Sequence, residues 1–346
     1  MAMVVITGVE TSLGRRVARL VSADPSTEVV GLAATGVADL PERVTVRRVD
    51  LVAADLKPHL EHADTLVHLV ETVPATATAA SADVAVTRRL LDAAGDTGVS
   101  HVVLLSSATV YGAWANNPVP LTEDATLRPN PGFPFAVERA EIERLGAEWR
   151  EAHPGTTVAA LRPARVAGDD HHEWLVRALR PGPAVPEHSD EPAVQFVDVD
   201  DLAAAVDIAR RSRLDGAFNV APEGAIPGDQ VRSLIGAPPK VPLPERVVGR
   251  LLRWGFRWGL GPTPPELVPY TLNSWVVAAD RLRAAGWAPR VSNEEACVEA
   301  HEVGAWATMS PRRRQEIALT IAGGGIVAAL VGAVVAVRRA VARSTE

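Results

Sequence analysis

The chain has 346 residues, enough for one large α/β domain or two smaller ones with a substantial buried core, which excludes a disulfide-stapled mini-protein. Its 35 basic and 42 acidic residues leave a net charge of −7, so no global basic field is available for nucleic acid and no nucleic-acid partner is expected. Cys297 is the only cysteine, which rules out an intrachain disulfide and a cysteine-based zinc site, and Lys57 and Lys240 are the only lysines.

Val4, Val5 and Ile6 form an apolar run that ends at Thr7-Gly8, and Leu13, Val17, Leu20 and Val21 follow at helical spacing, a strand, tight turn and helix. Further apolar runs at 28–32, 44–49, 65–70, 101–105 and 157–161 alternate with helical patterns. This rhythm predicts an α/β fold, a parallel sheet with helices on both faces. After about Ala164 it breaks into Pro- and Gly-rich pieces (Pro181, Gly182, Pro183, Pro186; Pro238, Pro239, Pro242, Pro244), which predicts a smaller, irregular C-terminal lobe.

Two later segments bear on membranes. In residues 246–258, Arg246, Arg250, Arg253 and Arg257 are spaced 4, 3 and 4 among Val247, Val248, Leu251, Leu252, Trp254, Phe256 and Trp258. Such a helix either lies at an anionic membrane surface or covers the small lobe with its arginines solvated. Residues Ile317 to Val337 are 21 positions without a charge, Pro, Asn or Gln. At about 1.5 Å per residue they span roughly 30 Å, the thickness of a bilayer core, so a C-terminal transmembrane helix is expected, with a buried helix as the alternative. Arginines flank both ends (Arg312, Arg313, Arg314; Arg338, Arg339, Arg343), so charge gives no orientation. The N-terminus shows no signal-peptide pattern, which favours a single-pass C-terminal anchor in the cell membrane with the folded part cytoplasmic and only the short tail crossing. Ala328, Gly332 and Ala336 lie four apart, a spacing that permits close helix contact within the bilayer.

The residues with chemical potential fall at strand ends. Thr7-Gly8-Val9-Glu10-Thr11-Ser12-Leu13-Gly14 occupies the first strand-to-helix turn, where backbone N–H groups and the helix dipole can hold a pyrophosphate. Asp50-Leu51 follows the third strand. Ser106-Ser107-Ala108-Thr109-Val110-Tyr111-Gly112, then Leu161-Arg162-Pro163-Ala164-Arg165-Val166-Ala167-Gly168, and finally Gln195 to Ala203 complete the series. In that order, over about residues 3–300, these segments resemble the extended short-chain dehydrogenase/reductase family, in particular its NAD-dependent epimerase/dehydratase branch acting on nucleotide sugars.

The resemblance implies a Rossmann-type doubly wound sheet over residues 1–164 with a return segment near 190–222. A small substrate lobe over 165–310, a basic linker at 311–316, the transmembrane helix at 317–337 and a tail at 338–346 complete the expected plan. It implies NAD or NADP as cofactor, with Thr7, Gly8, Thr11, Ser12, Leu13, Gly14, Asp50, Leu51 and His68 on the cofactor side. Gly8 and Gly14 would lie at the pyrophosphate and Asp50 near the adenine. Ser107 matches the serine that hydrogen-bonds the reacting substrate oxygen, and a plain capping hydroxyl is its structural alternative. The substrate would be a nucleotide sugar or lipid-linked sugar, with Arg162, Arg165 or Arg177 available for phosphates. A homodimer or a membrane protein is the implied macromolecular partner.

Departures from the family are equally legible. Its general acid/base is a tyrosine four residues before a lysine, whose cation lowers the phenol's pKa. The matching stretch, Phe133-Pro134-Phe135-Ala136-Val137-Glu138-Arg139, puts Phe135 at the tyrosine and Arg139 at the lysine. Phe135 has no proton to exchange, while Arg139 retains a charge able to meet a ribose. Tyr111, Glu138 and Glu143 are the conceivable substitutes. Thr11 replaces the middle glycine of the turn, no acid follows the second strand to meet a ribose hydroxyl, and Val70-Glu71 stands where two small residues are usual. Two readings follow: an oxidoreductase or epimerase held at the membrane, or a catalytically silent dinucleotide sensor or scaffold on the same fold. The histidines (His59, His62, His68; His171, His172) lack the His-x-x-x-His spacing of a zinc site, and no metal is expected.

Overall fold

The computed structural model describes residues 2–37, 39–69, 82–168, 173–181, 184–186, 191–237, 240–258 and 263–301. The expected transmembrane helix at 317–337, its linker and tail, and Val70-Glu71 lie outside the described residues. Among the described residues no helix is long and apolar enough to cross a membrane.

The strands in chain order are β1 (Ala2–Thr7), β2 (Thr27–Ala33), β3 (Val44–Arg48), β4 (Thr65–His68), β5 (His101–Leu105), β6 (Thr157–Pro163), β7 (Arg165–Ala167), β8 (Ala184–Pro186), β9 (Phe196–Asp198), β10 (Gly216–Val220) and β11 (Val241–Leu243). The helices are α1 (Ser12–Ser22), α2 (Lys57–Leu60), α3 (Asp83–Thr97), α4 (Pro134–Ala152), α5 (Glu173–Ala178), α6 (Val199–Arg211), α7 (Gly228–Leu234), α8 (Glu245–Arg257), α9 (Val268–Leu272), α10 (Asp280–Ala284) and α11 (Asn293–Glu299). Seven strands pair in parallel in the order β10-β6-β5-β4-β1-β2-β3. One row across the sheet reads Gly31, Ile6, Val67, Val103, Ala159 and Gly216.

Both faces of the sheet are covered, which is why its strands read as near-continuous apolar runs. Val4 and Ile6 of β1 point to one side, where α1 contributes Val17 and Val21 and α6 contributes Leu202 and Val206. Val5 points to the other, against Leu90 and Leu91 of α3 and Ile142, Leu145 and Trp149 of α4. Each such side chain contributes about 1.5–3 kcal/mol through removal from water.

The remaining elements build the irregular lobe at the carboxyl edge, with two short parallel pairs, β7 with β9 and β8 with β11. Gln195 bridges them to the lobe: its amide donates to the carbonyls of Gly224 (2.6 Å) and Val277 (3.0 Å), and its oxygen accepts from the Val277 N–H (2.8 Å). Asp198 caps α6, and buried Asp201 accepts from the N–H groups of Arg290 and Val291. The polar stretch after residue 194 thus fastens the lobe to the sheet.

Candidate functional site

Two glycines and a capping threonine build the turn after β1. Gly8 has φ +74°, and its N–H donates to the Leu32 carbonyl of the neighbouring strand at 3.0 Å. A Cβ on Gly14 would stand 2.0 Å from the Gly8 carbonyl oxygen, so only glycine lets α1 pack down on the turn. Thr11 Oγ1 accepts from the Gly14 N–H at 2.9 Å and donates to the Gly8 carbonyl at 2.8 Å. The side chain that stands in for the middle glycine is therefore tucked into the turn as its helix cap. The N–H groups of Ser12 and Leu13 have no acceptor among the described hydrogen bonds, at the positive end of α1. Such an end, at the carboxyl edge of a parallel sheet, accommodates a pyrophosphate, so these residues fit a dinucleotide.

Beneath the turn, His68 has both ring nitrogens engaged. Thr87 Oγ1 donates its single proton to the Asp83 carbonyl at 2.7 Å, so His68 Nε2–H must be the donor to Thr87 Oγ1 at 3.0 Å. Nδ1 then accepts from the Thr7 hydroxyl at 2.8 Å, and that hydroxyl accepts from the Leu69 N–H. Burial, with the nearby Arg139 charge adding to it, pulls the His68 pKa down to about 4. His68 and Thr7 thus support the turn from below and leave no free polar atom for a ligand.

A residue absent from the sequence expectations appears at the end of β2. Glu10 Oε1 accepts from the Ala34 N–H, just past β2, at 3.0 Å, while Oε2 is buried and without a partner. No acid follows β2 in sequence, yet the pairing of β1 with β2 brings one there from the first turn. The adjacency of these two strands was the signal that would have found it. Asp50 is exposed past β3, with Oδ1 accepting from the Val52 N–H at 2.9 Å. Leu51 is buried beside it, and Arg89 of α3 donates to the Leu51 carbonyl at 2.5 Å, fixing the loop.

Ser107 is the cap of the short 3₁₀ turn Ala108–Tyr111: its oxygen accepts from the N–H of Thr109 at 3.2 Å and from the Thr109 hydroxyl at 3.0 Å. Both contacts use the oxygen, so its proton is free for a ligand oxygen. Phe135 lies in an aromatic cluster, 5.6 Å from Phe133 and 5.5 Å from Trp174 between ring centroids. Arg139 is buried against Asp83, its guanidinium carbon 5.3 Å from the Phe135 ring centre. Its charge is directed to the start of α3.

The conceivable substitutes for the missing tyrosine are otherwise engaged. Tyr111 donates to Asn219 Oδ1 at 2.8 Å and accepts from Arg162 Nη1 at 2.7 Å, and burial raises its pKa. Glu143 accepts from Ser106 and from Arg162, whose Nη2 lies 2.5 Å from Oε2. That bidentate contact also takes Arg162 away from any phosphate. Glu138 is half-buried on α4. Arg165 differs: at 4% exposure it lies 5.5 Å from the Phe196 ring centre and 5.3 Å from that of Trp275. Among the described residues it has no ion-pair partner, its Nε is buried and unpartnered, and burial lowers its pKa to about 10. No group of three or more potential metal ligands occurs among the described residues.

An uncharacterized protein of Mycobacterium tuberculosis (strain H37Rv) is 31% identical over 147 residues, 42% of this chain and 39% of the relative. An uncharacterized protein of Mycobacterium bovis matches to the same extent, so the match spans about two fifths of these curated relatives. The solved UDP-N-acetylglucosamine 4-epimerase from Methanobrevibacter ruminantium M1, in complex with UDP-N-acetylmuramic acid, superposes with a TM-score of 0.64 at 20% identity, covering 86% of this chain and 96% of that one. The UDP-glucose 4-epimerase of Thermus thermophilus, in complex with NAD, gives 0.61 at 21% identity, covering 86% and 97%. At these identities the likeness shows the fold. The sequence model of the NAD dependent epimerase/dehydratase family matches residues 4–221, more than half of the chain, and the protein belongs to that family.

Proposed function

We propose that this protein is a membrane-tethered NAD-binding member of the family that takes a nucleotide-sugar or lipid-linked-sugar ligand without the family's usual acid–base chemistry, and so acts as a dinucleotide sensor or scaffold. The observation that carries this reading is the Phe135–Arg139 pair. The ring at the tyrosine position packs among aromatics and has no proton, and the cation at the lysine position is buried against Asp83. Loss of a positioned acid/base lowers a rate by about 10²- to 10⁴-fold, and Tyr111 and Glu143 are engaged elsewhere.

NAD would supply hydride transfer only beside a positioned acid/base to move the accompanying proton, so here it is read as a bound ligand. The turn at Gly8–Gly14 would hold its pyrophosphate through the Ser12 and Leu13 N–H groups, Asp50 would meet the adenine, and Glu10 would accept from the adenosine ribose. A carboxylate there favours a 2′-hydroxyl and repels a 2′-phosphate, so NAD is preferred over NADP. Membrane tethering rests on the uncharged run 317–337.

A second reading, a working epimerase or dehydratase, draws on the free proton of Ser107. Calorimetric titration of the full chain in detergent with NAD, NADH, NADP and NADPH, followed by single-turnover mixing with UDP-sugars, tests both. The proposal expects micromolar NAD binding and no transient NADH absorbance. Absence of binding at millimolar NAD overturns it. An NADH transient lost in Ser107→Ala establishes the second reading.

A further inference from the structure

Helix α8, together with its C-cap Trp258, carries two stripes side by side. Val247, Leu251, Trp254 and Trp258 recur at spacings of 4, 3 and 4, and Arg246, Arg250, Arg253 and Arg257 recur identically one residue earlier. At 3.6 residues per turn the stripes lie about a quarter-turn apart. Val248 is buried and Leu252 half-buried, so the apolar stripe is a second apolar face beyond the one that meets the lobe. Trp258 is 65% exposed, Trp254 56% and Leu251 43%, with the two indole rings 6.1 Å apart. Beside the helix, Arg246 and Arg253 flank an open groove with Pro265, Val268 and Leu272 along it.

From this geometry we infer that α8 docks on an anionic lipid surface, its tryptophan stripe among the acyl chains and its arginine stripe at the phosphate headgroups. Charge complementarity selects that occupant. The chain as a whole carries −7, yet residues 246–258 hold four arginines and no acid. A second copy docking through the same face would bring both rows of guanidinium groups together without counter-charge. A bilayer interface offers what both stripes need, since the apolar face of such a helix sinks past the headgroups to the top of the acyl chains while arginine snorkels back to phosphate. The groove between α8 and residues 265–272 has the same character, arginines on the α8 wall facing an apolar one. The inference rests on α8 alone and stands independently of the proposed dinucleotide site and of the segment 317–337.

Tryptophan quenching tests it in the full chain, using vesicles with acyl-chain-brominated lipid made either of phosphatidylcholine alone or with phosphatidylglycerol added. Quenching is expected to be deeper with phosphatidylglycerol, to lose its extra component in the Trp254→Tyr, Trp258→Tyr double variant, and to weaken with added salt. Arg250→Gln with Arg253→Gln is expected to remove the dependence on phosphatidylglycerol while leaving any quenching seen with phosphatidylcholine. All these positions are exposed, so an unchanged melting curve verifies that the variants fold. Equal quenching in both vesicle types, or quenching unaltered by the tryptophan substitutions, overturns the inference. So does self-association in detergent that the tryptophan substitutions abolish, without any lipid quenching.

Discussion

Arg139 and Asp83 form an ion pair at 1% and 2% exposure, joining the second turn of α4 to the start of α3, and the Phe135 ring lies over the same guanidinium. A desolvated pair of this kind is held by its geometry, and removal of the Asp83 carboxylate leaves the Arg139 charge, whose Nε is buried without a partner, in the interior. Asp83→Asn should therefore destabilise the fold by about 3–5 kcal/mol in urea unfolding. A loss under about 1 kcal/mol, the value for a solvated pair, would show that the charges are not desolvated.

Glu10 offers a direct test of cofactor choice. Replacing its carboxylate by an amide, Glu10→Gln, removes the charge that would face a 2′-phosphate but keeps an oxygen for the Ala34 N–H. Calorimetry should show NADP affinity rising by about tenfold or more and NAD affinity falling modestly. An unchanged NAD-to-NADP ratio would remove Glu10 from the ribose subsite.

Two buried histidines set an acid limit on stability. His68 and His101 both have pKa values pulled from 6.5 to about 4, by burial first and then by Arg139 and Arg213 respectively. His101 is held between Thr157 Oγ1 and the Ala209 carbonyl. Between those limits the unfolded chain binds protons that the folded chain does not. The contribution is complete above the unfolded pKa and is lost as the pH falls toward 4, each histidine accounting for on the order of 3 kcal/mol. Urea midpoints measured from about pH 7.5 to about pH 5 should fall steadily, and His68→Gln should make the slope shallower. A flat profile would mean that these rings already accept protons in the native state.

Arg165 is a cation without a counter-ion among the described residues, so it works against the ligand-free fold. Arg165→Met, similar in length and able to pack between Phe196 and Trp275, should raise the melting temperature of the ligand-free protein by about 2–4 °C. The same substitution should blunt stabilisation by UDP, whose phosphates suit a guanidinium. A lowered melting temperature would instead make the stacked guanidinium a structural element.

The parts of this molecule that could be read from sequence are those where one residue's environment repeats along an element. The six apolar runs from Val4 to Leu161 each became a strand of the sheet, because strands covered on both faces need apolar side chains throughout. The Gly8–Gly14 turn was equally legible, its glycine at 14 being demanded by a close backbone contact. Three-residue strands such as β7 and β9 have no periodicity to detect and exist through pairing, Arg165 opposite Phe196. For the same reason the isolation of Arg165 and the engagement of Arg162 by Glu143 were beyond a one-dimensional reading. Arg162 and Arg165 look alike in the sequence and have opposite circumstances in the fold.

The Tyr111–Asn219 hydrogen bond has a mechanical consequence. Asn219 stands on the edge strand β10, and its amide nitrogen reaches the carbonyls of Leu121 and Ala278 while its backbone N–H donates to Glu123. One side chain thus ties together a loop before α4, the outermost strand and the segment leading to α10, lengths of chain far apart in sequence. The lobe is laced into the sheet at both of its ends. A protease cut in the exposed turn at Arg213 would therefore yield a nicked protein whose two pieces co-elute under native conditions and part only in denaturant.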